Sequence, residues 1–242
     1  MAARPTLLLL QYDGGSFAGW QRQPSARTVQ GVVEDILARL LEKRTPVIGS
    51  GRTDAGVHAL EQVAAFTFDN PIPLLNLRRA VNRLLPPAIR VLSAEEFPPE
   101  FHPRFDAKAK TYEYRIVRGE VCSPFEWPYA HHYPYPLQED RMVLLARVFE
   151  GEHDFTAFAA ADERDAEGKS KVRCVFGSTL ETSGGRMTYR IRGSGFLKHM
   201  VRNIVGTLIE AGKGNVEDPS SLPPRCGPTA PAKGLFLVNV EY

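Results

Sequence analysis

An arginine and an aspartate two residues apart, Arg52 and Asp54, stand between two glycines just after a predicted strand. If the chain stays extended, residues i and i+2 face the same side, so the guanidinium and the carboxylate are neighbours. Opposite charges about 4 Å apart attract by roughly 4 kcal/mol at an intermediate dielectric, which favours the ionised carboxylate. Such a carboxylate is a potential nucleophile or base, and Gly51 and Gly56 leave room for a large group to approach. The same pattern is also typical of an ordinary turn with a solvated carboxylate.

The other residues that could do chemistry form no metal or nucleotide pattern. The three cysteines are widely spaced without a Cys-x-x-Cys pair, and the six histidines lack a His-x-x-x-His spacing. The chain contains neither a Gly-x-x-x-x-Gly-Lys phosphate loop nor a Gly-x-Gly-x-x-Gly turn. We therefore expect no metal, no cofactor and no disulfide framework.

Composition indicates a globular protein that meets any polyanion through one face. The 242 residues are 43% hydrophobic, which is enough to bury one large core or two small ones. The net charge of +2, with arginines clustered locally, suits contact with a polyanion through one face. The longest early apolar run, residues 7–10, is too short for a signal peptide or a membrane span. We expect a cytoplasmic protein without a membrane partner.

Hydrophobic periodicity predicts six elements in the first half, in the order β-α-β-β-α-β. Their predicted ranges are 6–12, 29–43, 46–50, 62–68, 74–85 and 89–95. The first helix has Thr28 as its expected N-cap and an apolar stripe that must dock on a sheet. Asp54 falls in the connection between the two central strands.

The second half repeats that order after a proline-rich linker at residues 98–103. A strand-like alternation at 110–118 opens it, and the repeat itself is predicted at 130–135, 139–149, 171–182, 186–192, 196–211 and 235–241. Long loops are expected at 159–171 and 219–232. The sequence thus predicts an α+β protein of two ferredoxin-like halves, 1–104 and 105–242. Their antiparallel sheets are expected to join, with a positively charged cleft between them.

Six separated blocks resemble the tRNA pseudouridine synthase A family. In chain order they are Gln-Tyr-Asp-Gly at 11–14 with Gly-Trp-Gln at 19–21, Thr-Val-Gln at 28–30, Gly-Arg-Thr-Asp-Ala-Gly-Val-His-Ala at 51–59, Ala-Lys-Thr-Tyr-Glu-Tyr-Arg at 109–115, Gly-Phe-Leu-Lys-His-Met-Val-Arg-Asn-Ile at 195–204, and Ala-Pro-Ala-Lys-Gly-Leu at 230–235 with Tyr242. Blocks in the same order along nearly the whole chain are more specific than any one short pattern. The resemblance implies an enzyme that isomerises uridine to pseudouridine.

By that resemblance Asp54 is the catalytic residue and Arg52 its ion-pair partner. Tyr112 would stack on the flipped uracil, Arg202 would lie near the catalytic aspartate and a substrate phosphate, and Leu235 would pack beside the base. Each also has a structural reading: Tyr112 as strand packing, Arg202 as a solvated charge and Leu235 as the start of a buried strand.

The late helix and the tyrosine strand carry two further expectations. The apolar stripe of 196–209 is expected to be core, with Lys198, His199, Arg202 and Asn203 on the other side. Between the two tyrosines of its strand the family often carries a basic residue, whereas this chain has Glu113.

Three arginines crowd the second predicted helix. Arg79 and Arg83 are four residues apart, so their like charges repel unless an anion lies nearby, and Arg78 adds a third charge. We interpret the cluster as a candidate phosphate contact. A solvated or internally paired helix face explains it equally well.

The resemblance further implies tRNA as the substrate, bound by a homodimer. The modified uridines would be those on the 3′ side of the anticodon arm, positions 38 to 40 by resemblance. Whether Asp54 attacks C1′ of the ribose or removes the C2′ proton stays open. One alternative is an RNA-binding module without chemistry. A glycoside hydrolase is disfavoured because the sequence offers no convincing second acid.

Overall fold

The chain forms two compact units. A computed structural model describes residues 4–161, 168 and 170–242, within which lie four α-helices and ten β-strands. The first unit comprises the residues up to Lys108 together with Leu237–Tyr242, and the second comprises Ala109–Phe236. The sequence placed the division after residue 104 and did not anticipate that the last residues belong with the first unit. The joining of the two sheets and the cleft between them stay predictions.

The first unit has the predicted β-α-β-β-α-β order. Its elements are β1 (Arg4–Tyr12), α1 (Val29–Leu41), β2 (Ile48–Gly49), β3 (His58–Phe68), α2 (Leu74–Leu84) and β4 (Ile89–Glu96). Strand β1 lies between β4 and β3, and β2 pairs with β3, each pair being antiparallel. This is the strand order of a ferredoxin-like sheet.

The ends of the elements in the first unit depart from the sequence prediction for local reasons. Helix α1 begins after Thr28, whose hydroxyl accepts a bond from Gly31 N at 3.2 Å, but it ends at Leu41 because Glu42 turns to a left-handed φ of 51°. Strand β3 begins at His58, four residues before its predicted start, because β1 pairs with it as far as Ala59. Strand β2 is only two residues long.

The second unit combines mostly antiparallel strands with two helices. Its elements are β5 (Ala109–Val117), β6 (His131–His132), α3 (Glu139–Val148), β7 (Gly151–Asp154), β8 (Val172–Ser183), β9 (Arg186–Gly193), α4 (Met200–Gly212) and the start of β10 (Leu235–Glu241). The strands follow the order β5-β9-β8-β7, while β6 runs parallel to the end of β5. Helix α3 packs on β8 and on α4.

Two sequence predictions for the second unit are wrong. The strand expected at 130–135 is reduced to β6, because β5 itself takes the place of the first strand of the repeat. The late helix begins at Met200 instead of 196, because His199 has a φ of 61° and interrupts any helix there. Strand β7, which pairs with β8, was not predicted.

Asn203 was placed on the polar side of the late helix, yet it is buried. Its amide nitrogen donates to Phe158 O at 2.7 Å, and its amide oxygen accepts a bond from the Thr229 hydroxyl at 2.7 Å. Residues outside the helix therefore cover Asn203, which periodicity cannot reveal.

The two long loops have different outcomes. Residues 162–167 and 169, in the charged loop predicted at 159–171, lie outside the described residues. Residues 219–231 contain neither helix nor strand, and a 3-10 turn at Ala232–Gly234 leads from them into β10. Among the helices described, none is both long and apolar enough to pass through a bilayer.

Candidate active site

Asp54 lies in a tight loop, residues 51–57, which joins β2 to β3 and is called the aspartate loop below. Thr53 is buried, Asp54 is half-buried and Arg52 is exposed. Val57 N donates to Asp54 O at 3.1 Å, and Gly56 has a φ of 79°, so the chain turns immediately after the aspartate. The loop thus has a defined main-chain path, as a positioned carboxylate requires.

The segment before α1 holds the first half of the aspartate loop. Trp20 N donates to Thr53 O at 3.0 Å, and the Trp20 ring is buried. Gly19 has a φ of 94°, and a Cβ atom there would lie 2.7 Å from Thr53 O. Only glycine therefore fits at position 19 without moving the loop.

A second close approach holds the end of the loop. A Cβ atom on Gly14 would lie 1.9 Å from Val57 O, and Gly56 N donates to Phe17 O at 3.3 Å. From the sequence, Gly51 and Gly56 are expected to leave room for a large group to approach the loop. The structure shows that Gly14 and Gly19 also leave room, by letting their own backbone approach the loop.

A row of buried polar groups lies beneath the aspartate loop. The Tyr12 hydroxyl lies 2.8 Å from Thr53 Oγ1, and Gln62 Nε2 donates to Gly51 O at 3.0 Å. Ser50 Oγ donates to Gln62 Oε1 at 2.5 Å. Burial raises the pKa of Tyr12 to about 12, although its hydrogen bonds with Thr53 and Gln62 lower it, so the phenol stays protonated at neutral pH.

Sequence reasoning did not select Tyr12, Thr53 or Gln62 as functional. Tyr12 and Thr53 were noted only as members of family-like blocks, and Gln62 only as the first residue of a predicted strand. Gln62 is fully buried in that strand. A polar residue beginning an apolar run was the available signal, since buried amides are kept where they have partners.

Arg52 belongs to a different set of contacts. Its Nε donates to Gln21 Oε1 at 3.0 Å, Gln21 Nε2 donates to Gln30 Oε1 at 2.8 Å, and Gln30 Nε2 donates to Glu34 Oε1 at 3.0 Å. The guanidinium is thereby linked to helix α1. The ion pair between Arg52 and Asp54 stays a prediction.

Tyr112 lies on β5 with its ring largely buried. The register with β9 places Tyr112, Tyr114 and Ile116 on one face, as the sequence predicted. The Phe196 ring contacts the Tyr112 ring edge to face, with centroids 5.1 Å apart. This contact fixes the tyrosine ring, as either packing or base stacking would require.

Tyr114 and Arg202 connect the segment before β10 to the rest of the second unit. Tyr114 OH donates to Pro231 O at 2.9 Å. Arg202 Nε donates to Ala230 O at 2.8 Å, while Ala230 N donates to Arg202 O at 3.1 Å. Burial raises the pKa of Tyr114 well above its usual value, and the nearby Arg202 charge lowers it in part. The Arg202 guanidinium is therefore half-buried and held by main chain, not freely solvated.

Leu235 is buried at the start of β10, directly after the turn that ends at Gly234. A Cβ atom on Gly234 would lie 2.7 Å from the Tyr114 ring, so this glycine lets the turn lie against the tyrosine. The structural reading of Leu235 as the beginning of a buried strand is correct. Its contact with a base stays a prediction.

Glu113 binds two arginines of the same sheet. Its carboxylate accepts bonds from Arg115 Nε at 2.8 Å and from Arg190 at 2.7 Å. Burial would raise the pKa of Glu113, but the hydrogen bonds from Arg190 and Arg115 hold it below its usual value. Position 113 thus offers no cation to a phosphate.

The three arginines of α2 differ in their surroundings. Arg78 is half-buried and donates to Leu92 O at 2.8 Å. Arg79 and Arg83 are exposed, and within the described residues neither forms an ion pair. The internally paired interpretation therefore fits Arg78, whereas the side chains of Arg79 and Arg83 are exposed to solvent.

Ligands for a metal do not cluster in the part of the chain that the structure describes. No group of three or more His, Cys, Asp or Glu side chains there could hold an ion. Cys122, Cys174 and Cys226 are free thiols, each half-buried.

Comparison with known proteins assigns the family. A sequence profile described as "tRNA pseudouridine synthase" matches residues 9–106 and 145–242, which include Asp54, Arg202 and Leu235 but not Tyr112. The chain is 70% identical over 235 residues to "tRNA pseudouridine synthase A" of Solibacter usitatus (strain Ellin6076), covering 97% of this chain and 98% of that protein. Proteins of the same name from Citrifermentans bemidjiense and Limosilactobacillus fermentum are 44% and 43% identical, covering 97% and 96% of this chain and 96% and 93% of their own lengths. This chain therefore belongs to the tRNA pseudouridine synthase family.

Proposed function

We propose that this chain converts uridine to pseudouridine in tRNA and that Asp54 is the reacting carboxylate. The observation that carries the proposal is the family match along both halves of the chain, including the aspartate loop. The anchored main chain of that loop supports the choice of Asp54, because a catalytic carboxylate must be held in place. The proposed targets are uridines on the 3′ side of the anticodon arm.

The reaction needs one carboxylate and no redox partner. The N1–C1′ bond breaks, the uracil turns while bound, and a C5–C1′ bond forms as the C5 proton leaves and N1 gains a proton. Asp54 either adds to C1′ or removes the C2′ proton, and it is regenerated in both schemes. Water must be excluded, because its addition at C1′ would release the base.

The remaining proposed roles concern how tRNA is held. Tyr112 stacks on the extruded uracil, with its ring already fixed by Phe196. Leu235 packs beside the base, Arg52 pairs with Asp54, and Arg202 contributes positive charge near a substrate phosphate.

Helix α2 is proposed to bind phosphates elsewhere on the tRNA. Arg79 and Arg83 carry this role best, because both are exposed. Arg78 contributes less, since its guanidinium is already bonded to Leu92 O.

We also propose a cytoplasmic homodimer. The second unit exposes large apolar side chains on residues 121–135, among them Phe125 at 87%, Trp127 at 52% and Tyr135 at 65%. Exposed aromatic side chains grouped on one segment are typical of protein contacts. The segment is ordered by Arg118, which donates to the carbonyls of Tyr133 and Tyr135.

Release of tritium from tRNA labelled at uracil C5 tests the reaction. Wild-type protein is expected to release tritium, because the C5 proton leaves during isomerisation. Asp54→Ala is expected to release none while binding tRNA with an affinity close to that of the wild type. An RNA-binding module without chemistry would bind tRNA and release no tritium in either form, and the proposal would then fail.

A further inference from the structure

The buried polar row beneath the aspartate loop contacts the main chain on the N-terminal side of Asp54. Ser50 and Gln62 are fully buried, and Tyr12 is nearly so. A buried polar group without a partner destabilises the folded state, so such a network persists only when its bonds are made. An apolar core would avoid that cost, which raises the question of what the network contributes.

Gln62 has only one amide orientation that satisfies its neighbours. Gly51 O can only accept, so Nε2 must face it at 3.0 Å, and Oε1 then accepts the Ser50 hydroxyl. The same Nε2 makes a longer contact with the Tyr12 hydroxyl at 3.5 Å. The amide therefore fixes both the side chain of Ser50 and the carbonyl of Gly51 from one position on β3.

Tyr12 extends this row to the residue before Asp54. Its hydroxyl faces Gln62 Nε2 on one side and Thr53 Oγ1 on the other, at 2.8 Å. Because Gln62 Nε2 can only donate, the phenol oxygen accepts from it in this longer contact, while either hydroxyl can donate in the bond between Tyr12 and Thr53. The row ends at the side chain of Thr53, one peptide unit from Asp54.

We propose that Tyr12 and Gln62 are positioning residues, which hold Gly51 and Thr53 so that the Asp54 carboxylate meets the ribose at the reacting distance. This inference rests on the proposed function of Asp54. Both residues project from strands, β1 and β3, that pair with each other near these positions. Bonds to these strands thereby make the short loop that carries the carboxylate more rigid. Rigidity matters because a displacement of a catalytic group by about 1 Å can slow a reaction about 100-fold.

Single-turnover pseudouridine formation and tRNA binding, measured on the same variants, test the inference. Tyr12→Phe, Gln62→Met and Thr53→Val remove members of the row with little change in volume. Each is expected to slow the single-turnover rate by roughly 10- to 100-fold, with the dissociation constant for tRNA changed by less than about threefold. Thr53→Ser keeps the hydroxyl and is expected to restore most of the rate.

Thr6→Val is the matched control. Thr6 lies on β1 like Tyr12 and is fully buried, but its hydroxyl bonds to Arg4 O, away from the aspartate loop. If the row serves only folding, Thr6→Val and Thr53→Val will reduce melting temperature and rate alike, and the inference is overturned. Equal rates for Thr53→Val and Thr53→Ser would overturn it as well, even if Gln62→Met does not fold.

Asp54→Asn, assayed beside these variants, separates the two proposals. An active Asp54→Asn protein would reject the catalytic role of Asp54 itself. An inactive Asp54→Asn protein beside fully active Tyr12→Phe and Thr53→Val proteins would reject only the positioning role.

Discussion

Gly19 can lie close to the aspartate loop because it has no Cβ atom. Its φ of 94° and the 2.7 Å that would separate a Cβ from Thr53 O leave no space for a side chain. The nearby Trp20 N–H group depends on this approach for its 3.0 Å bond to the same oxygen. Position 19 therefore determines how closely the chain before α1 can hold the residue preceding Asp54.

Gly19→Ala is expected to destabilise the protein and slow the reaction. A positive φ costs an alanine about 1–2 kcal/mol, and displacement of Thr53 O adds to this. Urea unfolding measures the first effect, and the single-turnover rate measures the second. Gly184→Ala is the control, because Gly184 also has a positive φ, of 57°, but no atom within 4 Å of an added Cβ. Equal stabilities and rates for the two variants would contradict the close-approach argument.

Residue type and spacing made Asp54 a candidate, and the family resemblance gave it a role, but neither revealed the groups that hold its loop. An aspartate between glycines is visible in any sequence. The partners of Gln62 are not, because Gly51 and Tyr12 meet it only after β1, β2 and β3 have paired. Glu113 illustrates the same limit, since its bond to Arg190 depends on the pairing of β5 with β9.

The three arginines of helix α2 differ in how far they are buried. One face buries Leu77 and Val81, and Arg78 lies close enough to β4 to bond with Leu92 O. Arg79 and Arg83 lie one turn apart on the exposed side, where their repulsion is relieved if a phosphate binds between them.

Arg79→Gln with Arg83→Gln is expected to weaken tRNA binding in a salt-dependent way. The logarithm of the association constant decreases with the logarithm of the salt concentration. For each phosphate that the double variant no longer binds, the steepness of that decrease should be lower by about 1. Titrations of tRNA at several salt concentrations measure that slope. Arg147→Gln, an exposed arginine near the end of α3, is the control. An unchanged slope in the double variant would show that Arg79 and Arg83 do not bind tRNA phosphates.

At the element scale, periodicity found the elements but not all their ends. The apolar stripe correctly marks α4 as core, yet the helix starts four residues late because His199 adopts a left-handed conformation. A main-chain conformation of this kind depends on neighbours such as Ala160, whose N–H bonds to Lys198 O, and a one-dimensional pattern contains no such information.

The two units share one order of elements, to which the second unit adds β6 and β7. The β-α-β-β-α-β order follows from hydrophobic patterns alone and is confirmed in the first unit. In the second unit the repeat starts at β5 because the segment 118–136 contributes only a two-residue strand. That segment instead exposes aromatic side chains, and an assembly of two chains would give them a partner surface.

Sedimentation equilibrium is expected to give a mass twice the 26.9 kDa of one chain. Phe125→Glu should shift the protein towards single chains, because a charge in an apolar contact is costly. Phe105→Glu, which alters an equally prominent phenylalanine of the first unit, should leave the mass unchanged. A wild-type mass of one chain at micromolar concentration would contradict the homodimer.

Mapping of pseudouridine in an unmodified tRNA transcript shows both whether the protein modifies tRNA and whether the Asp54 carboxylate is required. After incubation with wild-type protein, pseudouridine is expected on the 3′ side of the anticodon arm. After incubation with Asp54→Asn, whose side chain has the same shape without the charge, none is expected. Pseudouridine formed by Asp54→Asn, or none formed by the wild type, would contradict the account.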